Sequence, residues 1–236
     1  MKIFEAMENR HSVRNYEPEI LSEPVKEEIN TLCKGVKPFQ QTKCSWVIMD
    51  DAKATGKIFT EVDSTKWEEL VNYGFEGEQI ILGLIQNGPS LNINATLWKA
   101  SGISANTPAV LRFGKAGKSG AIGKLFKKIT GAASERKLVE FIEGDVTKLS
   151  ETAKRCFEMA ILSPSALNRR PWSLSEKKLS EDQSELIVRV TKTSNLNALD
   201  FGIILSHVYL TLKELNKDFE YGMTDKTTAV FTISLL

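Results

Sequence analysis

Two segments of the chain concentrate side chains able to grip an anion or the polar edge of a ring. Arg10-His11-Ser12-Val13-Arg14 sets two guanidiniums, an imidazole and a hydroxyl in one short run. In an extended or turn conformation residues 10, 12 and 14 point the same way, and the paired donors of arginine match the oxygens of a dianionic phosphate. The same residues also suit the solvated end of a short helix, where cations meet the helix dipole favourably. The second segment, residues 163–172 (SPSALNRRPW), holds small and amide-bearing residues between Pro164 and Pro171. Two prolines stiffen such a loop and turn its hydroxyl and amide groups outward. Asn168 can donate and accept at once, as the edge of a fused heterocycle requires. The competing reading is an ordinary helix-exit loop in which Ser165 and Asn168 cap their own backbone.

Several other chemistries are excluded. His11 and His207 are the only histidines, which leaves no HExxH and no multi-histidine cluster, so no metal site is expected. No GxSxG elbow occurs. Residues 114–124 (GKAGKSGAIGK) invite a phosphate-loop reading, but a Walker loop needs a glycine where Arg112 stands. Gly114, Gly117, Gly120 and Gly123 recur every third residue and miss GxGxxG, so a basic surface loop is expected. Lys+Arg 31 against Asp+Glu 30 gives a net charge of +1, without the basic surplus of a nucleic-acid binder. Cys33, Cys44 and Cys156 lack CxxC spacing; they read as core fillers and fit a reducing cytoplasm. The N-terminus is charged within a few residues, and the uncharged stretch 80–98 is broken by Gln86, Asn87, Gly88 and Pro89. Neither a signal peptide nor a membrane span is expected.

The elements that must position these residues follow from periodicity. Residues 3–9 predict a first helix with Ile3 and Met7 on one face, and Ser22 caps a second that carries Val25, Ile29, Leu32 and Cys33. Residues 45–49 predict a strand. Residues 73–86 predict a helix apolar over most of its surface and therefore central, and 110–113 a further strand. The order then recurs. Ser150 caps a helix with Ala153, Cys156, Phe157, Ala160 and Ile161 on one stripe. Short strands are predicted at 171–174 and 186–190, an almost wholly apolar helix at 199–215, and a β-branched and aromatic strand at 229–233. Trp46 to Trp172 is 126 positions, Gly77 to Gly202 is 125 and Val110 to Val230 is 120. These offsets predict an internal duplication. The expectation is one α+β domain over 1–236, with pseudo-repeats at about 20–115 and 148–236 behind an N-terminal segment 1–19. Its two central helices would pack together as in a twofold homodimer.

The run Phe4-Glu5-Ala6-Met7-Glu8-Asn9-Arg10-His11-Ser12-Val13-Arg14-Asn15-Tyr16 resembles the N-terminal helix ending in R-H/R-S-x-R of the FMN-dependent nitroreductase superfamily. Residues 160–172 resemble its S-P-S-x-x-N-x-Q-P-W loop. Residues 81–98, ending Asn94-Ala95-Thr96-Leu97-Trp98, are similar more loosely to its glycine-rich helix and G-L-x-T-x-W segment. Arg136-Lys137-Leu138-Val139-Glu140 resembles its basic R-K-x-L/V-E-E segment. Ordinary members carry the arginine motif and the S-P-S-x-x-N loop in one half-length unit, and each flavin touches both subunits of a dimer. Here the arginine motif precedes the first repeat and the loop lies in the second, while the first-repeat counterpart Lys37-Pro38-Phe39-Gln40-Gln41 has lost the pattern. The chain is therefore similar to the TM nitroreductase variant, in which a single chain mimics the dimer. That resemblance implies central antiparallel sheets packed by buried helices, a monomer, and one FMN per chain in a composite site.

Roles follow from the resemblance. Arg10, Ser12 and Arg14, with His11 beside them, would hold the phosphate, the ribityl chain or the N1–C2 edge of the flavin, where a cation offsets charge gained on reduction. Arg136 and Lys137 would add charge around the phosphate. Pro164, Ser165 and Asn168 would approach from the opposite half, and Thr96, Leu97 and Trp98 would lie along one ring face. Arg170 stands where the family often has glutamine. The implied reaction passes hydride from NAD(P)H to a nitroaromatic, quinone or similar small acceptor by a ping-pong mechanism. No side chain is required as a nucleophile, so no catalytic residue is named. A flavin-binding carrier or sensor with little turnover is the alternative.

Overall fold

Two long stretches are too apolar to lie on a surface, and the remaining elements are arranged on them. The computed structural model describes residues 1–40, 43–118 and 137–235. Its main helices are α1 (Ile3–Asn9), α2 (Glu23–Gly35), α3 (Trp67–Gln86), α4 (Glu151–Ala160) and α5 (Asn195–Glu214). Most residues of α3 and α5 are buried, as a helix apolar on all sides demands. Strands β1 (Val47–Asp51), β2 (Ala54–Phe59), β3 (Ala95–Ala100) and β4 (Ala109–Gly114) form one antiparallel sheet in the order β1-β2-β4-β3. Strands β5 (Trp172–Lys178), β6 (Gln183–Val190), β7 (Phe219–Asp225) and β8 (Thr228–Ser234) form a second in the order β5-β6-β8-β7. Each half runs helix, strand, strand, helix, strand, strand, and both sheets share one topology. The duplicated α+β fold is as expected. No helix of the described residues is long and apolar enough to cross a membrane.

The halves are joined by the crossing of α3 and α5. A Cβ on Gly74 would come closer than 3.0 Å to the Leu199 carbonyl oxygen, and one on Gly202 would do the same to the Val71 carbonyl oxygen. Gly74 to Gly202 and Val71 to Leu199 are both separated by 128 positions, so the crossing is twofold symmetric. This corrects the sequence pairing of Gly77 with Gly202. Gly77 lies instead beneath the Trp98 and Trp46 rings. The helices are also exchanged between cores. Trp67, Leu70, Val71 and Phe75 of α3 pack with Leu174, Val188 and Phe231 of the second sheet. Ile80, Ile81 and Leu84 pack with Ile58, Leu111 and Phe113 of the first.

Other differences from the sequence reading have local causes. Helix α3 begins at Trp67 rather than at 73, and α5 at Asn195 rather than at 199, because Glu68, Glu69, Asn195 and Asn197 interrupt the apolar pattern in their first turns. Periodicity gave no sign of β2, β3 or β7. Strands β3 and β7 are sheet edges, and β7 alternates only weakly, with Glu220, Gly222 and Asp225 along it. Ser22 stands at the N-cap of α2 without a capping hydrogen bond, whereas the Ser150 hydroxyl accepts from the Ala153 N–H as expected. Cys33 and Cys156 are buried thiols, each pushed up to about 12 by burial.

The N-terminal segment straps the halves together. Ile3, Ala6 and Met7 of α1 pack against Leu82 and Ile85 of α3 and against Met159 of α4. The chain then runs along β3, where Ser12 bridges Thr96 and the Val13 N–H donates to the Thr96 carbonyl at 3.0 Å.

Gly202→Ala is expected to destabilise the chain by on the order of 3 kcal/mol or more, because the obstacle is backbone and cannot rotate away. Gly35→Ala, which meets nothing within 4 Å, serves as the neutral control. Urea unfolding of both variants checks this, and similar midpoints would contradict the close crossing.

Candidate functional site

At the end of α1 the Arg10 guanidinium turns inward, and its side chain is only 7% exposed. Its Nε lies 3.8 Å from Glu78 Oε1, an ion-pair distance too long for a hydrogen bond. The buried Nε–H therefore makes no hydrogen bond among the described residues. Burial pushes the guanidinium below its ordinary pKa, and the Glu78 charge opposes that shift.

Glu78, wholly buried on α3, also accepts from the Trp98 indole at 2.6 Å and meets His207 Nε2 of α5 at 3.1 Å. His207 Nδ1 lies 2.9 Å from the Met159 carbonyl oxygen. A carbonyl only accepts, so Nδ1 carries a proton, and a second proton must lie between Nε2 and Glu78. The pair is an imidazolium with a carboxylate or an imidazole with a carboxylic acid. In either form the chain Arg10–Glu78–His207–Met159 ties the strap to both central helices and to the last turn of α4. The loop 163–172 departs from that turn.

The loop is anchored again two turns earlier on α5. Asp200, 4% exposed, accepts the Ala166 N–H through both oxygens at 2.9 and 3.0 Å. Burial pushes its carboxyl up to about 7, against the opposing effects of the Ala166 hydrogen bond and of Arg169. Within the loop the Ser165 hydroxyl accepts from the Arg170 N–H at 2.9 Å, and Asn168 Oδ1 accepts from Arg170 Nε at 3.3 Å. Leu167, Asn168 and Arg170 have φ of 53°, 57° and 49°, left-handed values that cost a non-glycine residue energy and persist only where the surroundings impose them. Arg170 is half-buried. It folds over the Phe141 ring at 5.9 Å, and its buried Nη2 makes no hydrogen bond among the described residues. Phe141 pairs with Leu174 at the edge of β5 and follows the turn Leu138–Glu140, which the exposed Lys137 precedes. Arg136, Gln41 and residues 119–124 of the glycine–lysine loop lie outside the described residues.

The structure thus gathers Arg10, Ser12, Thr96 and Trp98 at one end of the buried chain and Pro164, Ser165, Asn168 and Lys137 towards the other. His11 is exposed, with Nδ1 at 2.9 Å from the Asn9 carbonyl oxygen, and Arg14 is exposed beyond it. Thr96 is buried, and its Oγ1 makes no hydrogen bond among the described residues. Leu97 points to the opposite face of β3 and packs with Tyr16 and Ala54, as strand alternation requires. Its side chain is committed to the core, away from Thr96 and Trp98.

Asp200 and His207 have counterparts 128 positions earlier, Asn72 and Gln79. Asn72 Oδ1 accepts the Phe39 N–H at 2.8 Å, and Gln79 holds the N–H and carbonyl of Lys37 at 3.1 and 2.7 Å. Each half therefore anchors the loop leaving its first helix from the same helical position, Asn72 or Asp200, while Gln79 holds the loop at Lys37 and His207 reaches the last turn of α4. In the first half both anchors are neutral amides, and Phe39 turns inward against Phe75 and Tyr221, with ring centroids 5.1 and 5.2 Å away.

Glu78, Asp200 and His207 were missed by the sequence reading. The signal was present: ionisable residues inside helices apolar on all sides must be paired if they are there at all.

A model of the family described as "Putative TM nitroreductase" matches residues 2–212. The chain belongs to this family. It is thereby an oxidoreductase of nitroreductase type. The crystal structure of a "putative nitroreductase" from Thermotoga maritima is similar over 100% of this chain and 94% of its own, with TM-score 0.75 and 29% identity. A nitroreductase family protein from Clostridium difficile matches 59% of this chain and 96% of its own at 13% identity and TM-score 0.44. A "putative NADH dehydrogenase/NAD(P)H nitroreductase" from Bacteroides thetaiotaomicron matches 49% of this chain and 89% of its own at 14% identity and TM-score 0.38. Among curated proteins, none matches this sequence.

For this nitroreductase-family chain, Glu78→Ala is expected to cost on the order of 3–5 kcal/mol, since it leaves Arg10, His207 and Trp98 without their shared partner. Glu78→Gln, which keeps an acceptor for Trp98, should cost less; denaturant unfolding of both variants checks the order. Asp200 predicts a pH dependence. Its proton is held in the folded chain from its ordinary value of 3.8 up to about 7, where the unfolded chain has lost it. The stabilisation is therefore complete below about pH 4 and disappears as pH rises through about 7, by on the order of 4 kcal/mol at most. Asp200→Asn should flatten this slope in unfolding curves taken across that interval, and an unchanged slope would assign it to other groups.

Proposed function

We propose that the chain is a cytoplasmic, monomeric FMN-dependent oxidoreductase that passes hydride from NAD(P)H to a nitroaromatic, quinone or similar small acceptor. The observation that carries this reading is the set of buried donors left without hydrogen bonds at the site, Arg10 Nε, Thr96 Oγ1 and Arg170 Nη2. Buried donors nearly always find a partner. Orphans on both the strap side and the loop side fit a bound, oxygen-rich anion that completes them. A phosphate, a polyhydroxylated chain and a carbonyl-bearing ring edge offer such acceptors together.

FMN held by these residues would supply the hydride chemistry between NAD(P)H and the second substrate. The residues of the chain bind and orient. Arg10, Ser12 and Arg14, with His11 beside them, would supply positive charge and donors for the phosphate and the N1–C2 edge, and Lys137 and Arg136 would add charge around the phosphate. Glu78 fixes the Arg10 guanidinium and the Trp98 indole in one arrangement. Pro164, Ser165 and Asn168 are presented by a loop pinned at Asp200, and Thr96 and Trp98 stand on the same face of β3. Preorganised charge of this kind costs no rearrangement during reaction, and no side chain has to act as a nucleophile.

A count of one FMN per chain is supported by what stands at the symmetry-related place. There the first-half loop turns Phe39 inward against Tyr221, which occupies on β7 the register position that Trp98 has on β3. The arginine strap, moreover, occurs only once in the sequence.

The absorbance spectrum of the purified protein, with released flavin counted per chain, tests this reading. About one FMN per chain is expected, with dissociation constants raised about tenfold or more in Arg14→Ala and Asn168→Ala. NADH or NADPH should bleach the flavin, and a quinone should restore it. Failure to take up flavin from excess FMN would overturn the reading. Binding without bleaching would replace it by the carrier alternative.

A further inference from the structure

The twofold crossing supplies an internal control for one residue of the site. Asn72 and Asp200 hold equivalent positions on α3 and α5 and perform the same task, accepting the backbone N–H of Phe39 in one half and of Ala166 in the other. A neutral amide oxygen suffices in the first half. In the second half a carboxylate does the work at 4% exposure, where its charged form is penalised. The loop that it holds also carries Leu167, Asn168 and Arg170 in left-handed conformations. A charge that opposes folding, where the same chain shows that an amide is adequate, indicates a role in function.

Building on the flavin reading above, we propose that Asp200 is a positioning residue whose protonation state sets the conformation of loop 163–170 and, through it, the grip on the flavin. Protonated, the carboxyl is neutral and lies beneath the loop without penalty, its other oxygen still accepting the Ala166 N–H; ionised, it carries a buried charge that opening of the loop hydrates. That opening frees the left-handed residues beyond Ala166 from the constraint that imposes their conformation. The change falls in the neutral range, since the carboxyl titrates at about 7. Arg169, on the loop itself, is the charged group acting on it. The α3 residues that cross α5 here, Val71, Gly74 and Phe75, carry no side-chain charge. The next titratable side chain on α5 is His207, engaged with Glu78 and the Met159 carbonyl. One proton is released to solvent per chain as the loop opens, and no covalent step is involved.

Asp200→Asn, for which Asn72 is the folded precedent, is compared with wild type from about pH 5.5 to about pH 8.5. The first readout is trypsin cleavage after the exposed Arg169, without added flavin, expressed relative to cleavage after Lys53 in the β1–β2 turn to remove the protease's own pH dependence. The second is the FMN dissociation constant from flavin fluorescence. In wild type, relative cleavage after Arg169 is expected to rise about fivefold, and FMN to bind about fivefold more weakly, as pH rises through about 7. In Asp200→Asn both profiles should be flat, and Asp200→Glu should restore an inflection. A flat wild-type cleavage profile, or the same slope in wild type and Asp200→Asn, overturns the proposal and leaves Asp200 a structural anchor. If FMN binds at no pH, the flavin reading fails, and the cleavage profiles alone still decide whether Asp200 governs the loop.

Discussion

The structure depends on one contact between backbones, the crossing of α3 and α5 at Gly74 and Gly202. Each glycine sits against a carbonyl oxygen of the other helix, Leu199 for Gly74 and Val71 for Gly202. Side chains at these positions would wedge the helices apart. About one turn beyond Gly74 stands Glu78, and about one and a half turns beyond Gly202 stands His207. Their 3.1 Å contact exists only because the axes approach so closely. The same crossing delivers the N-terminal part of α3 to the second sheet and its C-terminal part to the first, so neither half can complete its core without the other.

A twofold scaffold does not oblige its polar groups to be symmetric, and here they are not. Glu76 and Glu78 are both buried on α3, but their partners differ in kind. Glu76 accepts from the Cys44 backbone, the Trp46 indole and the Asn72 amide, all neutral donors that leave it a finished local structure. Glu78 faces a cation and an imidazole from two other elements, and one of its neighbours, Arg10 Nε, is left without a hydrogen bond. Buried charge is poor support for stability, because desolvation offsets most of the attraction. A network that stays ionisable and incomplete is better understood as prepared for something it binds.

The frame was legible in the sequence to a large extent. Two helices apolar on every side, a capped amphipathic helix and near-constant offsets sufficed to infer a duplicated α+β chain. The offsets were blurred because loops within the two halves differ in length, so Gly77 stood in for Gly74. Strands β2, β3 and β7 escaped because residues such as Lys57, Gly56 and Glu220 erase the alternation that marks a half-buried strand. Of the candidate site, the arginine run and the proline-bracketed loop were visible because each is contiguous. Glu78, Asp200 and His207 were not, since their partners lie 129, 34 and 48 residues away. Nothing local distinguishes them from other polar residues on long helices.

The divergence of the halves argues for a division of labour within one duplicated frame. At two pairs of equivalent positions the first half has Asn72 and Gln79 and the second has Asp200 and His207. Asn72 makes the same loop-anchoring hydrogen bond as Asp200 with a neutral amide, and Gln79 adds a hold on Lys37 where His207 instead reaches the last turn of α4. The loop they hold turns Phe39 into an aromatic cluster with Phe75, Tyr221 and Phe231, which converts that place into core. The ionisable pair holds a loop of small residues, lies beside the single arginine strap and leaves donors unsatisfied. Core aromatics and neutral anchors stabilise; a buried carboxyl beneath a strained loop destabilises once ionised. On this physical ground the first half supplies the rigidity that lets the second half hold a strained, ionisable site.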